Sequence, residues 1–80
     1  MNTAPQDYAH DLDTRGLSCP LPILKIKKVI SRAEAGEVVR MISSDLGSLK
    51  DMEAFCKQTG NMLMSSQSDG GEHTFYVRKT

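Results

Sequence analysis

Residues 13–22 have the sequence Asp-Thr-Arg-Gly-Leu-Ser-Cys-Pro-Leu-Pro, and this stretch decides how the chain folds. It joins a short strand-like segment to a long helical pattern and places Cys19 directly before Pro20 and Pro22. Proline is tolerated in the first turn of a helix, so a helix is predicted to begin between Cys19 and Pro22. A thiol at a helix N-terminus faces backbone N–H groups and the positive end of the helix dipole, which lower its pKa. The sequence therefore predicts a reactive thiolate at Cys19.

The segments on either side of this stretch predict a strand and a helix. The strand covers residues 8–12, where alternation places Tyr8, His10 and Leu12 on one side. The helix extends to about Ala35, because apolar residues recur at helical spacing and Gly36 is a typical C-terminal stop.

The second half of the chain predicts a second helix and three more strands. A near-continuous apolar run in residues 37–43 is typical of an interior strand. A helix over residues 48–59 follows, capped by Ser44 or Asp45 and ended by Gly60. Its predicted inward positions are Leu49, Met52, Phe55 and Cys56. Residues 62–64 and 73–78 are the last strands, joined through a turn at residues 69–71.

This order predicts an α+β fold, a two-layer α/β sandwich with the order β-α-β-α-β-β. The first two strands are expected to be parallel, joined by a right-handed crossover helix, and the last two to form an antiparallel hairpin. The sheet would then be four-stranded and mixed, with two helices on one face. Residues 1–7 are polar and are predicted to be a flexible tail, and residues 8–80 a single domain.

Composition excludes several classes of function. Ten Lys and Arg balance ten Asp and Glu, and no aromatic cluster is available for base stacking, so direct nucleic-acid binding is not expected. No apolar run has the length of a membrane span, and the N-terminal residues do not resemble a secretory signal, so a cytoplasmic location is expected. No cysteine or histidine pair has metal-ligand spacing, so neither a metal nor another cofactor is predicted. Nothing in the sequence demands more than a monomer.

The two cysteines are predicted to be separate thiols with different roles. Cys19 lies in a loop, where a reactive role is favoured over that of a small buried hydrophobe. Cys56 shares a helix face with apolar residues, which favours core filling over a role as a resolving thiol. The predicted topology separates them by about 12 Å along the second helix, beyond the reach of a disulfide.

Basic residues near Cys19 allow two interpretations each. Arg15 could hold a negative charge near the sulfur, or it could be a solvated loop residue paired with Asp13. Lys25, Lys28 and Arg32 share one face of the first helix. That face is either an ordinary solvated surface or a docking patch for an acidic partner.

The motif Arg15-Gly16-Leu17-x-Cys19-Pro20-x-Pro22 resembles the signature of the TusA/SirA-like sulfur carrier family. The resemblance extends from about Tyr8 to Lys79 and includes Gly36, Asp45 and the end of the second helix at Gly60. It implies the same β-α-β-α-β-β sandwich, with sulfane sulfur carried as a persulfide on the cysteine that corresponds to Cys19.

The resemblance implies a sulfur carrier that acts as a protein co-substrate of other enzymes. Sulfur would come from a donor protein, a cysteine desulfurase or a rhodanese, and pass to an acceptor protein in tRNA thiolation, molybdenum cofactor metabolism or sulfur metabolism. Arg15, Gly16, Pro20 and Pro22 would support the thiolate or persulfide. The alternative is a redox-sensitive regulatory or interaction module in which oxidation of Cys19 is the switch.

Overall fold

The computed structural model describes residues 8–80, so the predicted tail at residues 1–7 lies outside the described residues. The elements follow in the order β1-α1-β2-α2-β3-β4, with two helices and one four-stranded sheet, as the sequence predicts. The bounds are β1 His10–Thr14, α1 Leu21–Arg32, β2 Val38–Ser43, α2 Ser48–Thr59, β3 Met62–Asp69 and β4 Glu72–Arg78.

The sheet has the strand order β1-β2-β4-β3, which makes β1 and β3 its edges. The strands β1 and β2 are parallel, while β4 is antiparallel to both β2 and β3. This arrangement confirms the mixed sheet and the interior position of β2. Since β1 and β2 are parallel, their carboxyl ends lie at the same end of the sheet. The loops into α1 and α2 therefore leave the sheet side by side.

The hydrophobic core lies between the two helices and one face of the sheet. Its fully buried side chains include Ile26 of α1, Met41 of β2 and Met52 of α2. Residues Val39, Met41 and Ser43 alternate with more exposed neighbours along β2, so only one face of the strand is covered by helices. Burial of this apolar stripe is the main contribution to the stability of so small a domain.

Strand β1 begins and ends two residues later than predicted. Thr14 continues the parallel register opposite Ser43, and its hydroxyl donates to the Ile42 carbonyl at 2.6 Å. Tyr8 does not share a side with His10 and Leu12. Its hydroxyl accepts a hydrogen bond from Arg40, which lies on the sheet face that carries no helix.

Helix α1 ends at Arg32 rather than near Ala35. Ala33 is extended, and the Glu34 N–H donates to the side chain of Glu37 instead of continuing the helix. Gly36 has a φ of 89°, and its N–H donates to the Lys79 carbonyl at 2.7 Å, so it forms the turn into β2 rather than the helix stop.

Helix α2 has the predicted bounds but not the predicted cap or the full set of inward positions. Its N-cap is Gly47 without a side-chain hydrogen bond, so capping by Ser44 or Asp45 is wrong. Ser48 is buried beside Met52, Phe55 and Cys56, whereas Leu49 is 42% exposed. The predicted stop at Gly60 is confirmed, since Gly60 adopts the left-handed conformation with a φ of 78°.

The β3–β4 hairpin is longer than the pattern indicates. Strand β3 extends to Asp69, through a polar stretch that pairs with β4. The turn consists of Gly70 and Gly71, whose φ angles of 59° and 85° are both positive. Such a two-residue turn requires positive φ at both positions, which glycine adopts without steric cost.

Candidate functional site

Cys19 lies in the loop between β1 and α1 and is exposed, while Cys56 is buried in α2. Both are free thiols, as predicted. Cys19 opens on a shallow groove of about 260 Å³, whose lining includes Ile23 of α1 and the Asp51 and Phe55 side chains of α2. The site is therefore an accessible sulfur between two helices, not a closed pocket.

Three buried hydroxyl groups fix the loops that carry the site. Thr14, Ser43 and Ser48 are each at most 2% exposed. The hydroxyls of Ser43 and Ser48 are hydrogen-bonded at 2.6 Å, and Ser48 also donates to the Asp45 carbonyl at 2.7 Å. The Asp45 N–H in turn donates to the Ser43 hydroxyl at 3.1 Å. This closed set of hydrogen bonds holds the β2–α2 loop against the sheet.

The two loops are also tied to each other. The Gly16 N–H donates to the Ser44 hydroxyl at 2.8 Å, which links the Cys19 loop to the loop before α2. Gly16 has a φ of 85°, a conformation that other residues adopt only with strain. Ser44 therefore joins the two loops instead of capping α2.

Replacing Ser48 with alanine is expected to destabilise the protein by about 1–3 kcal/mol, because the buried Ser43 hydroxyl loses a hydrogen-bond partner. Urea unfolding measures this loss. Ser31→Ala is the matched control, since the Ser31 hydroxyl donates to Lys28 at an exposed position where water can replace it. Equal stabilities of the two variants would show that the buried hydrogen bonds do not hold the loop.

The first turn of α1 offers few N–H groups to the sulfur. Pro20 and Pro22 have none, and the Leu21 N–H donates to the Ser18 carbonyl at 2.9 Å. Among residues 20–23, Ile23 is therefore the only one with a backbone N–H group that is not already donated to a carbonyl. The helix begins where the sequence predicts, but the prolines remove most of the donors that would stabilise a thiolate.

The predicted lowering of the Cys19 pKa is wrong for this structure. A hydrogen bond with the Asp51 carboxylate, partial desolvation, and the negative charges of Asp51 and Asp45 raise the pKa of Cys19. Both carboxylates lie close to the start of α2. A Cβ atom placed on Gly47 would lie 3.4 Å from Asp45 Oδ2 and 3.9 Å from Asp51 Oδ2. The sulfur therefore lies in a locally negative environment.

Arg15 is paired with Asp13, which is one of the two interpretations that the sequence allows. Its guanidinium donates to Asp13 at 2.9 Å and to Glu72 at 3.3 Å. The Asp13 carboxyl consequently has its pKa lowered to about 2, chiefly by hydrogen bonds from Arg15. With Arg15 held by two carboxylates, its support of the Cys19 sulfur stays a prediction.

The predicted docking residues lie on one surface. Lys25, Lys28 and Arg32 all line a groove of about 360 Å³ between α1 and β1, together with His10 and Leu12. The sequence indicated the shared helix face but not the groove, because a helix pattern does not show which strand lies beside it.

Two residues that sequence reasoning missed are Asp51, which lies beside the sulfur, and Ser48, which holds the loop. Asp51 is separated from Cys19 by 32 positions, and only the packing of α2 against α1 brings them together. In the described residues 8–80, no group of three or more His, Cys, Asp or Glu side chains could hold a metal ion. Neither helix described for this chain is long and apolar enough to cross a membrane.

Comparisons with known proteins agree with this fold and with the Cys19 motif. The family model described as Sulfurtransferase TusA matches residues 10–79. A SirA-like protein from Desulfitobacterium hafniense has the same fold with a TM-score of 0.76 at 22% sequence identity, covering 86% of this chain and 95% of that chain. The chain belongs to the TusA family.

Relatives of known name cover nearly the whole chain. The sulfur carrier protein TusA of Allochromatium vinosum is 47% identical over 74 residues, covering 92% of this chain and 97% of the relative. A putative sulfur carrier protein of Neisseria meningitidis is 42% identical over 67 residues, covering 84% and 90% respectively. The predicted family is therefore confirmed.

Proposed function

We propose that this protein is a sulfur carrier that accepts sulfane sulfur as a persulfide on Cys19 and relays it to an acceptor protein. The observation that carries the proposal is the exposed Cys19 sulfur, within the family motif, at the mouth of a groove between α1 and α2. Its relatives named as sulfur carriers support the same assignment.

The proposed transfer is a thiol exchange at sulfur. The Cys19 thiolate attacks the outer sulfur of a donor persulfide, an S–S bond forms to Cys19, and the donor S–S bond breaks. The donor leaves as a thiolate and takes up the proton that Cys19 released. An acceptor thiolate then attacks the outer sulfur on Cys19 and restores the Cys19 thiolate, so no external oxidant or reductant is consumed.

A protein co-substrate fits this site better than a small substrate. The groove beside Cys19 has a volume of about 260 Å³ and is open, whereas typical ligand pockets enclose roughly 300–1,000 Å³. Leu21, the first residue of α1, is 45% exposed, and Leu46, in the loop before α2, is 89% exposed. Apolar side chains exposed around a reactive atom are typical of a protein contact surface.

The proposed partners are a cysteine desulfurase or a rhodanese as donor and a thiol-bearing protein as acceptor. Residues 8–80 would act as one monomeric domain in the cytoplasm, where thiols remain reduced. Gly16, Pro20 and Pro22 would hold the Cys19 loop in its exposed conformation. Arg15, which lies in the same loop as Gly16, would help to hold that conformation. Tests of tRNA thiolation, molybdenum cofactor synthesis and sulfur oxidation would distinguish the acceptor pathways.

The redox-switch alternative is less well supported. Peroxide oxidises the thiolate of the free protein, and the raised pKa of Cys19 keeps that form scarce at neutral pH. A carrier instead reacts in a complex, where groups of the partner contribute to the environment of the sulfur.

Incubation with a cysteine desulfurase and cysteine tests the proposal by intact mass under non-reducing conditions. The wild-type protein is expected to gain one sulfur atom, and the Cys19→Ser variant none. Cys56→Ser is the matched control and is expected to load normally, because Cys56 is buried. Rapid oxidation of Cys19 by peroxide, without sulfur uptake from either a desulfurase or a rhodanese, would contradict the carrier function and favour the switch.

A further inference from the structure

The groove between α1 and β1 is distinct from the groove that contains Cys19. Leu12 and Val29 form its apolar floor and pack against the hydrophobic core. Its rim consists of the cationic side chains of Lys25, Lys28 and Arg32, all of them exposed. The groove therefore combines an apolar base with three positive charges.

These cations have no carboxylate partners within the described residues. The ion pairs found there involve other basic groups, namely His10, Arg15 and Arg40. The chain as a whole has a net charge of zero, so this surface is a local concentration of positive charge. An anionic partner would gain attraction there without displacing an internal ion pair.

The strand beside the groove has a free edge. Strand β1 is the first in the sheet order, and in residues 8–80 no strand pairs with its outer side. In the β2–β4 register the Lys79 N–H donates to the Glu37 carbonyl, so the main-chain groups of Val38 and Arg40 face β1 and pair with His10 and Leu12. The N–H groups of Asp11 and Asp13 therefore point away from the sheet. An extended segment could add to this edge through main-chain hydrogen bonds.

The spacing of the cations matches such a segment. Lys25, Lys28 and Arg32 lie at positions i, i+3 and i+7, and therefore span about 10 Å along α1. Alternate residues of a strand are about 6.7 Å apart, so three acidic residues on one face of a strand span about 13 Å. The flexible stems of lysine and arginine accommodate the difference.

We propose that the edge of β1 and the basic rim of α1 bind an extended acidic segment of a sulfur donor or acceptor, which adds to the sheet as a fifth strand. The partner's identity as donor or acceptor rests on the proposed function, but the binding itself does not require persulfide chemistry. The segment carries Asp or Glu at alternate positions, facing Lys25, Lys28 and Arg32. Because β1 leads directly into the Cys19 loop, a partner held at this edge lies beside the sulfur.

A titration with a defined peptide tests this proposal. The probe is a capped ten-residue peptide with alternating glutamate and threonine, and the control peptide has glutamine in place of glutamate. In ¹H–¹⁵N spectra, the glutamate peptide is expected to shift the Asp11 and Asp13 amides saturably, and the effect should weaken as salt increases. The glutamine peptide is expected to bind at least about tenfold more weakly.

Charge-reversal variants show whether the groove carries the binding. Combining Lys25→Glu, Lys28→Glu and Arg32→Glu is expected to weaken binding of the glutamate peptide at least about tenfold. Lys27→Glu is the matched control, because Lys27 lies on the same helix but does not line this groove. The Lys27→Glu variant is expected to keep more of its affinity for the glutamate peptide than the triple variant does. Loading of Cys19 by inorganic polysulfide needs no docking, so it separates a failure here from a failure of the carrier function.

Three results would overturn the proposal. The first is the absence of saturable shifts at β1, and the second is equal binding of the glutamate and glutamine peptides. The third is a concentration-dependent shift of the Asp11 and Asp13 amides without peptide, which would show that the edge pairs with a second copy of this chain.

Discussion

Replacing Asp51 with asparagine is expected to make Cys19 react several-fold faster with iodoacetamide at neutral pH. In the native protein, the hydrogen bond and the negative charge of Asp51 raise the Cys19 pKa and favour the protonated thiol. The substitution removes the charge and keeps the shape of the side chain. Because the thiolate is the nucleophile, a lower pKa increases the reactive fraction at any pH below it.

The measurement is the rate of alkylation as a function of pH, followed by mass spectrometry. The midpoint of the Cys19 profile is expected to lie above that of a free thiol in the wild type and to move down in Asp51→Asn. Asp45→Asn should produce a smaller shift in the same direction, since only its charge contributes. Cys56 does not interfere, because burial raises its pKa to about 11.

Glu53→Gln is the matched control for this experiment. It removes one negative charge from the same helix at an exposed position that does not line the Cys19 groove. Its profile is expected to follow the wild type. Identical profiles for Asp51→Asn and wild type would show that Asp51 does not control the thiol, and equal shifts in Asp51→Asn and Glu53→Gln would indicate a general effect of net charge.

The electrostatics of Cys19 show where sequence reasoning succeeded and where it failed. The helix start was predictable, because Pro20 and Pro22 are favourable in a first turn. The same prolines lack N–H groups that could stabilise a thiolate. Part of the error in the predicted pKa of Cys19 was therefore already visible in the sequence. The effect of Asp51 could not, because it depends on how α2 packs beside the Cys19 loop.

The order of elements was predictable because strong local signals agree with one another. The apolar run of β2 marked an interior strand, and the Gly70–Gly71 pair marked the hairpin. The length of strand β3 was underestimated because residues 65–68 are polar. Its pairing comes from main-chain hydrogen bonds to β4, which hydrophobic patterns do not record.

The exposure of Leu49 has a different cause. Helical spacing places Leu49 and Met52 on neighbouring parts of α2, and an apolar residue is ordinarily assigned to the core. The helix is instead rotated so that Ser48 is buried, where its hydroxyl joins the hydrogen bonds to Ser43 and Asp45. The hydrogen-bonding of a loop thus determines which face of the helix meets the sheet, and a pattern of apolar residues does not contain that constraint.

The largest loss of stability is expected from truncation of the core face of α1. Ile26 is completely buried between the helices and the sheet, so Ile26→Ala is expected to reduce the free energy of unfolding by about 2–5 kcal/mol. An 80-residue domain has a total stability of roughly 4–12 kcal/mol, so this loss is a large part of the whole. The thermal midpoint should fall by at least about 8 °C.

Leu24→Ala provides the matched control, since it also truncates an aliphatic residue of α1. Leu24 is 53% exposed, and its truncation is expected to change the free energy of unfolding by only about 0.5 kcal/mol. Urea unfolding of both variants gives the difference directly, with Cys19 kept reduced throughout. Similar losses for both would mean that α1 is not oriented with Ile26 inward, and the surface formed by Lys25, Lys28 and Arg32 would then no longer lie beside β1.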